Sequence, residues 1–107
     1  MKVKHAVLRA RADQDVQEAI DYYLGERAQQ AALGFVDALE QGLQHVERHP
    51  ATGSPRCADE LGLPGLRYWP LKGYPYLVFY VEGDDRIDVW RVLHASRDIP
   101  AWMQPPE

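Results

Sequence analysis

Two long segments near the start of the chain repeat apolar residues at helical spacing. The first runs from about residue 9 or 10 to Gly25, and the second from about Arg27 to Arg48. Their apolar stripes are Val16, Ala19, Ile20, Tyr23 and Leu24 in the first segment and Ala32, Phe35, Leu39, Leu43 and Val46 in the second. Only a few residues link the segments, so the pattern predicts an antiparallel helical hairpin.

The remaining apolar segments are short and typical of strands. They cover residues 3–8 before the hairpin and residues 66–71, 76–81 and 87–94 after it. The run YLVFYV contains no polar side chain, which indicates a central strand covered on both faces. Pro70 favours an edge position for the strand that contains it. Residues 50–65 are rich in Pro and Gly and are interpreted as a loop that leads from the helices to the sheet.

The predicted order is β-α-α-β-β-β. A helical hairpin set apart from a small, mostly antiparallel sheet makes an α+β domain. At 107 residues the chain has room for one such domain. We assign residues 1–99 to it and residues 100–107 to a short turn and tail.

Composition narrows the function classes. The net charge of −4 weighs against a protein that grips nucleic acid over its whole surface, although arginines in the strand region leave room for a local basic patch. The single cysteine, Cys57, excludes an internal disulfide and favours a reducing compartment. No segment has the apolar run of a signal peptide or a membrane span. We therefore expect a cytoplasmic protein.

Motifs for metal and phosphate chemistry are absent from the sequence. The four histidines do not pair with Cys or acidic residues at metal-ligand spacing, and no Gly-rich phosphate loop occurs. The sequence predicts neither a metal nor a cofactor. Arg56 beside Cys57 could lower the pKa of that thiol, but an ordinary loop cysteine is the favoured interpretation.

The stretch VWRVLHASRDIP concentrates polar groups at the end of the last strand. In a regular strand, Arg91 shares a face with Ile87, Val89 and Leu93, and His94 lies on the opposite face with Asp88, Trp90 and Val92. That separation predicts that Arg91 and His94 do not act on one atom. If the aliphatic face is the core, Arg91 requires an acidic or carbonyl partner. His94 is either a general base or a hydrogen-bonding group that fixes the strand end.

Four segments in order carry a family resemblance. ADQDVQEAIDYY, ALGFVDALEQGLQHVERHPATGSPR, LPGLRYWPLKGYPYLVFYV and DVWRVLHASRDI together resemble ParE-type toxins of the RelE/ParE superfamily, from type II toxin–antitoxin systems. The resemblance runs from about Lys2 to Ile99. Its most specific parts are Gly65-Leu66-Arg67, Phe79-Tyr80, and Arg91 to His94 followed by Arg97-Asp98.

The resemblance implies the RelE/ParE-like fold and a non-catalytic inhibitor that binds DNA gyrase and stalls replication. It also implies a cognate ParD-like antitoxin that neutralises the toxin and supplies the contact with operator DNA. The residues expected to contact a target or partner are Arg67, Tyr80, Arg91, His94, Arg97 and Trp102.

Two alternatives stay open. RelE-like relatives cleave mRNA in the ribosome, which here would require His94, Arg67 and Arg97 to converge as base and phosphate-binding cations. The few cations in the strand region and the acidic net charge disfavour this enzyme. The other alternative is a decayed toxin that only binds its antitoxin.

Overall fold

The computed structural model describes residues 3–96. It begins with strand β1 (His5–Leu8), followed by helices α1 (Ala10–Gly25) and α2 (Gln29–Arg48). The predicted hairpin is confirmed within two residues at each helix end. Arg27, in a left-handed conformation at φ 57°, turns the chain between the helices.

The prediction that Leu24 belongs to the apolar stripe of α1 was wrong. Leu24 is 47% exposed, whereas Ala19 is buried and Val16, Ile20 and Tyr23 pack against the core. Tyr23 occupies the position facing the second helix, where its ring lies 6.0 Å from that of Phe35. Leu24 is one residue and about 100° further round the helix, so it points away from that contact.

The sheet contains four strands in the order β1-β4-β3-β2. Strands β2 (Leu66–Pro70), β3 (Tyr76–Glu82) and β4 (Arg86–His94) pair antiparallel in succession, and β1 pairs parallel with β4. The mostly antiparallel α+β fold is therefore confirmed. The strand that contains Pro70 lies at an edge, as predicted. Among residues 3–96 no helix is long and apolar enough to cross a membrane.

A third helix corrects the interpretation of residues 50–65 as a loop. After a 3₁₀ turn at Pro50–Thr52, helix α3 (Arg56–Leu61) packs Cys57, Ala58 and Leu61 against Leu66, Phe79 and Leu93. Six residues are too few for helical periodicity to be recognised in a sequence. The helix ends at Gly62, whose φ of 63° is left-handed.

Both faces of the sheet are covered, as the YLVFYV pattern predicted. Val78 and Tyr80 point toward the helical hairpin, and Phe79 between them points toward α3. All three side chains are fully buried. The larger core therefore lies under α1 and α2, and a smaller cluster lies under α3.

A β-bulge in β4 overturns the predicted alternation of that strand. Tyr80 pairs with Val89 and Phe79 with Arg91, so Trp90 has no partner in the ladder. Beyond the bulge, Val92 joins the core under the hairpin, and Leu93 joins the cluster under α3. The predicted aliphatic face of β4 therefore changes sides at Trp90.

The expected acidic partner of Arg91 is Asp15 of α1. The two oxygens of the carboxylate accept hydrogen bonds of 2.8 Å from Nε and Nη2 of Arg91, and Oδ2 also accepts the Val92 amide at 3.0 Å. Both side chains are buried, at 8% and 4% exposure. The hydrogen bond to Asp15, which outweighs desolvation, raises the pKa of Arg91 further above its usual value. The ion pair confirms the expected acidic partner of Arg91 and joins α1 to the strand just after the bulge.

Removing this carboxylate charge is expected to destabilise the fold strongly. Asp15→Asn should lower the free energy of unfolding by about 3–5 kcal/mol, because Arg91 would stay buried without its counter-ion. Urea denaturation followed by circular dichroism measures the loss. The control is Asp13→Asn, an exposed acid on the same helix, which should cost no more than about 1 kcal/mol. Equal losses in the two variants would contradict the role of the ion pair.

Candidate functional site

Arg67 and Tyr80 lie side by side and hold the same loop. They are paired across β2 and β3. The Tyr80 hydroxyl donates to the Pro50 carbonyl at 2.7 Å and accepts from the Gly53 amide at 3.0 Å. Arg67 Nη1 donates to the Gly53 carbonyl at 2.8 Å. The two side chains thus fix residues 50–53, which connect α2 to α3.

Tyr80 is placed in the interior and not on a contact surface. It is 0% exposed, and burial raises the pKa of its phenol above the usual range, outweighing the opposing effects of Gly53 and Arg67. A Cβ at position 53 would collide with the Tyr80 hydroxyl, so glycine is required there. The ring and its hydroxyl therefore serve the internal support of the loop.

His94 ends β4 and closes the turn that follows. Its Nδ1 accepts a hydrogen bond from the Ser96 amide at 3.1 Å and lies 2.7 Å from the Ser96 hydroxyl. The ring meets Tyr76 edge-on, with centroids 5.2 Å apart. This geometry favours the interpretation of His94 as a hydrogen-bonding group at the strand end.

The residues required for a nuclease site do not converge within the described chain. Arg67 pairs with Tyr80 across one edge of β3. His94 pairs with Tyr76, four residues before Tyr80, across the opposite edge of that strand. Strand spacing puts their backbones about 16 Å apart. Arg91 is neutralised by Asp15. The other predicted contact residues, Arg97 and Trp102, lie outside the described residues.

A groove of about 540 Å³ lies between α1 and the ends of β3 and β4. Its lining consists of acidic, aromatic and small apolar side chains, with His94 and Ser96 at the end of β4. These residues are Asp15, Glu18, Ala19, Tyr22, Tyr23, Pro75, Tyr76, Val92, Leu93, His94 and Ser96. We define this surface as the α1 groove.

The sequence interpretation missed most of the α1 groove. Tyr22 is 59% exposed, whereas its neighbour Tyr23 packs on the core. The helical period could have predicted the exposure of Tyr22, since this residue lies outside the apolar stripe and must face outward. Glu18 gave no such signal, because an acid on the polar side of a helix is ordinary.

Metal and thiol chemistry have no support in residues 3–96. No group of three or more His, Cys, Asp or Glu side chains there is arranged to hold a metal ion. Burial, followed by the negative charge of Glu60, raises the pKa of the Cys57 thiol and outweighs the opposing effect of Arg56. This direction favours the interpretation of Cys57 as an ordinary cysteine, although it lies in helix α3 and not in a loop.

A family model and a solved structure match this chain. The family described as ParE toxin of type II toxin-antitoxin system, parDE, matches residues 6–99. The solved structure titled "Chromosomal ParDE TA system from P. aeruginosa" has a similar fold, with a TM-score of 0.72 at 17% sequence identity. The alignment covers 88% of this chain and 98% of that chain. No curated protein shows a significant match.

Loss of the Tyr80 hydroxyl is expected to weaken the fold through the loop it holds. Tyr80→Phe should lower the free energy of unfolding by about 1–3 kcal/mol, because the Pro50 carbonyl and the Gly53 amide lose their partner. Tyr68→Phe on the neighbouring strand is the matched control. Its hydroxyl has no hydrogen bond within residues 3–96, so the change should stay within about 0.5 kcal/mol. Denaturant titration compares the two, and similar losses would refute the assignment.

Alkaline pH is expected to destabilise the protein in part through Tyr80. Burial raises the pKa of this phenol in the folded state, so the folded chain holds the proton more tightly than the unfolded chain. Stability from this group is therefore present below about pH 10 and is lost as the pH rises past it. Unfolding free energies at about pH 8 and about pH 11 should fall less in Tyr80→Phe than in the wild type. Parallel falls would exclude this contribution.

Proposed function

The chain belongs to the ParE toxin family of type II toxin–antitoxin systems, and from that premise we propose that it inhibits DNA gyrase, and so replication, by binding. The observation that carries the proposal is the family match over residues 6–99. It acts in the cytoplasm, where gyrase and its DNA substrate are found. A ParD-like antitoxin is the partner that neutralises it.

The arrangement of charged residues supports inhibition by binding over RNA cleavage. Metal-free cleavage of RNA needs a base, an acid and phosphate-binding cations around one phosphate. Here Arg67 supports a loop, Arg91 is buried against Asp15, and His94 lies at the far end of the sheet from Arg67. Groups that are this far apart favour a protein that acts by binding its target over one that cleaves RNA.

The antitoxin would control both activity and stability of the toxin. A partner that binds only the folded chain stabilises it in proportion to the logarithm of its free concentration. Arg97 and Trp102, which the resemblance implies as contact residues, stay predictions for target contact, since they lie outside residues 3–96. The α1 groove is one concave surface within residues 3–96 that a partner segment could occupy.

A purified supercoiling assay tests gyrase inhibition. We expect the toxin to reduce ATP-dependent supercoiling of relaxed plasmid by gyrase and to be retained with gyrase in a pull-down. Preincubation with the ParD-like antitoxin should restore supercoiling, which controls for nonspecific inhibition. If the toxin neither binds nor inhibits gyrase over a wide range of concentration, the proposed target is wrong.

Induction in cells without antitoxin separates the competing functions. We expect growth arrest together with intact translated mRNA, read by primer extension. Codon-linked cuts that disappear in His94→Ala would establish the ribosome-dependent nuclease instead. Normal growth with retained antitoxin binding would identify a decayed toxin.

A further inference from the structure

We propose that the α1 groove binds an arginine or lysine side chain carried by an apolar segment of the antitoxin, with Glu18 as the anionic anchor. This inference rests on the proposed function, which supplies the antitoxin as partner. It adds the chemistry of the contact and the residue of this chain that selects for it.

The charges that line the groove leave one carboxylate for a partner. Asp15 already binds Arg91 through both oxygens. Glu18, one helical turn further along α1, is exposed and has no ion-pair partner among residues 3–96, although its field reaches the neutralised Arg91. Within residues 3–96, none of the lining residues is Lys or Arg. The described part of the groove therefore has a negative charge without a counter-ion.

His94 directs Nδ1 back to its own turn, where this nitrogen accepts a hydrogen bond from the Ser96 amide. Burying an incoming acid here would place two carboxylates together without a counter-ion, which is unfavourable. The groove thus discriminates by charge in favour of a cation.

The walls of the groove suit the stem of a long cationic side chain. Tyr22 and Tyr23 meet edge-on at 5.3 Å on one side, and Tyr76 lies across the groove against His94. Aromatic faces attract guanidinium and ammonium groups, and the methylene stems of Arg and Lys pack on apolar surface while the charge stays in water. Tyr22, at 59% exposure, is available for this contact.

The size of the groove favours a protein segment over a free cation. A volume of about 540 Å³ is in the range of sites that hold drug-sized ligands and exceeds the space of one side chain. The exposed Pro75 and the half-buried Tyr76 offer apolar surface beside the charged end. One cation flanked by apolar residues on the same segment fills both parts.

The test compares binding of the purified ParD-like antitoxin to toxin variants by isothermal titration calorimetry. Glu18→Lys is expected to weaken binding at least tenfold, and Glu18→Gln by a smaller factor. Added salt should weaken binding to the wild type more than to Glu18→Gln, since a charge pair is screened. The control is Glu40→Lys, which makes the same charge change at an exposed position of α2 and should leave affinity within twofold.

Charge exchange identifies the partner residue. Each Lys and Arg of the antitoxin is replaced by Glu in turn and tested against Glu18→Lys toxin. We expect one replacement to restore at least part of the lost affinity while weakening binding to the wild-type toxin. Absence of any such replacement would overturn the proposed ion pair.

The outcomes separate this inference from the proposed function. If wild-type toxin binds no antitoxin, both are overturned. If it binds and Glu18→Lys binds within twofold of it, or if Glu40→Lys weakens binding equally, the groove assignment fails and the toxin–antitoxin assignment stands. Loss of a toxin dimer in Glu18→Lys would identify a second copy as the occupant. A large drop in Tm of Glu18→Lys toxin alone would identify the toxin's own chain as the occupant. Either result overturns the inference.

Discussion

The Asp15–Arg91 ion pair is the interaction on which the arrangement of helices and sheet depends. It joins the middle of α1 to β4, the strand that pairs on both sides, at the point where the bulge interrupts the ladder. The Asp15 carboxylate also accepts the Val92 amide, so one side chain satisfies a buried charge and a backbone donor together. Burying a charge pair costs desolvation free energy. The attraction between the charges repays this cost only when their geometry is good and every donor is satisfied. This pair therefore specifies how α1 sits on the sheet, more than it adds net stability.

A second set of polar contacts fixes the connection from α2 to α3. Tyr80 reaches Pro50 and Gly53 from within the core, and Arg67 reaches the Gly53 carbonyl beside it. The backbone bridge between Ser54 and Tyr68 continues the same attachment along β2. A loop held at successive residues positions the short α3 helix, which has too few residues to be stable alone. Arg67 and Tyr80, two residues of the motifs that carry the family resemblance, thus hold the loop that places α3 on the sheet.

The sequence predicted those parts of the fold that repeat a local period. The stripes of α1 and α2 and the unbroken apolar run of β3 each reflect burial against one or two neighbours, and their positions were right except for Leu24. The α3 helix and the bulge at Trp90 could not be predicted in this way. The helix is shorter than two turns and the bulge adds one residue to the ladder, so neither repeats a period, and both depend on tertiary contacts. The alternation rule put Arg91, Val89 and Leu93 together, and a single extra residue separated them. The partner of Arg91 was predictable as a type of group, an acid or carbonyl, but only the packing of α1 could identify Asp15.

Polar residues that look like a catalytic cluster in the sequence need not form a catalytic site when the fold already pairs them. Arg91 and His94 are three residues apart, yet each is held by a neighbour within the fold: Arg91 binds Asp15, and Nδ1 of His94 accepts a hydrogen bond from Ser96. Among residues 3–96, Glu18 lines the same groove as His94, is exposed to solvent and has the opposite sign to Arg91. An anionic groove repels the phosphates of RNA and attracts a basic protein segment. In the proposed complex, the polar residues at the end of β4 form one side of the binding surface, and Glu18 beside them selects for a cation.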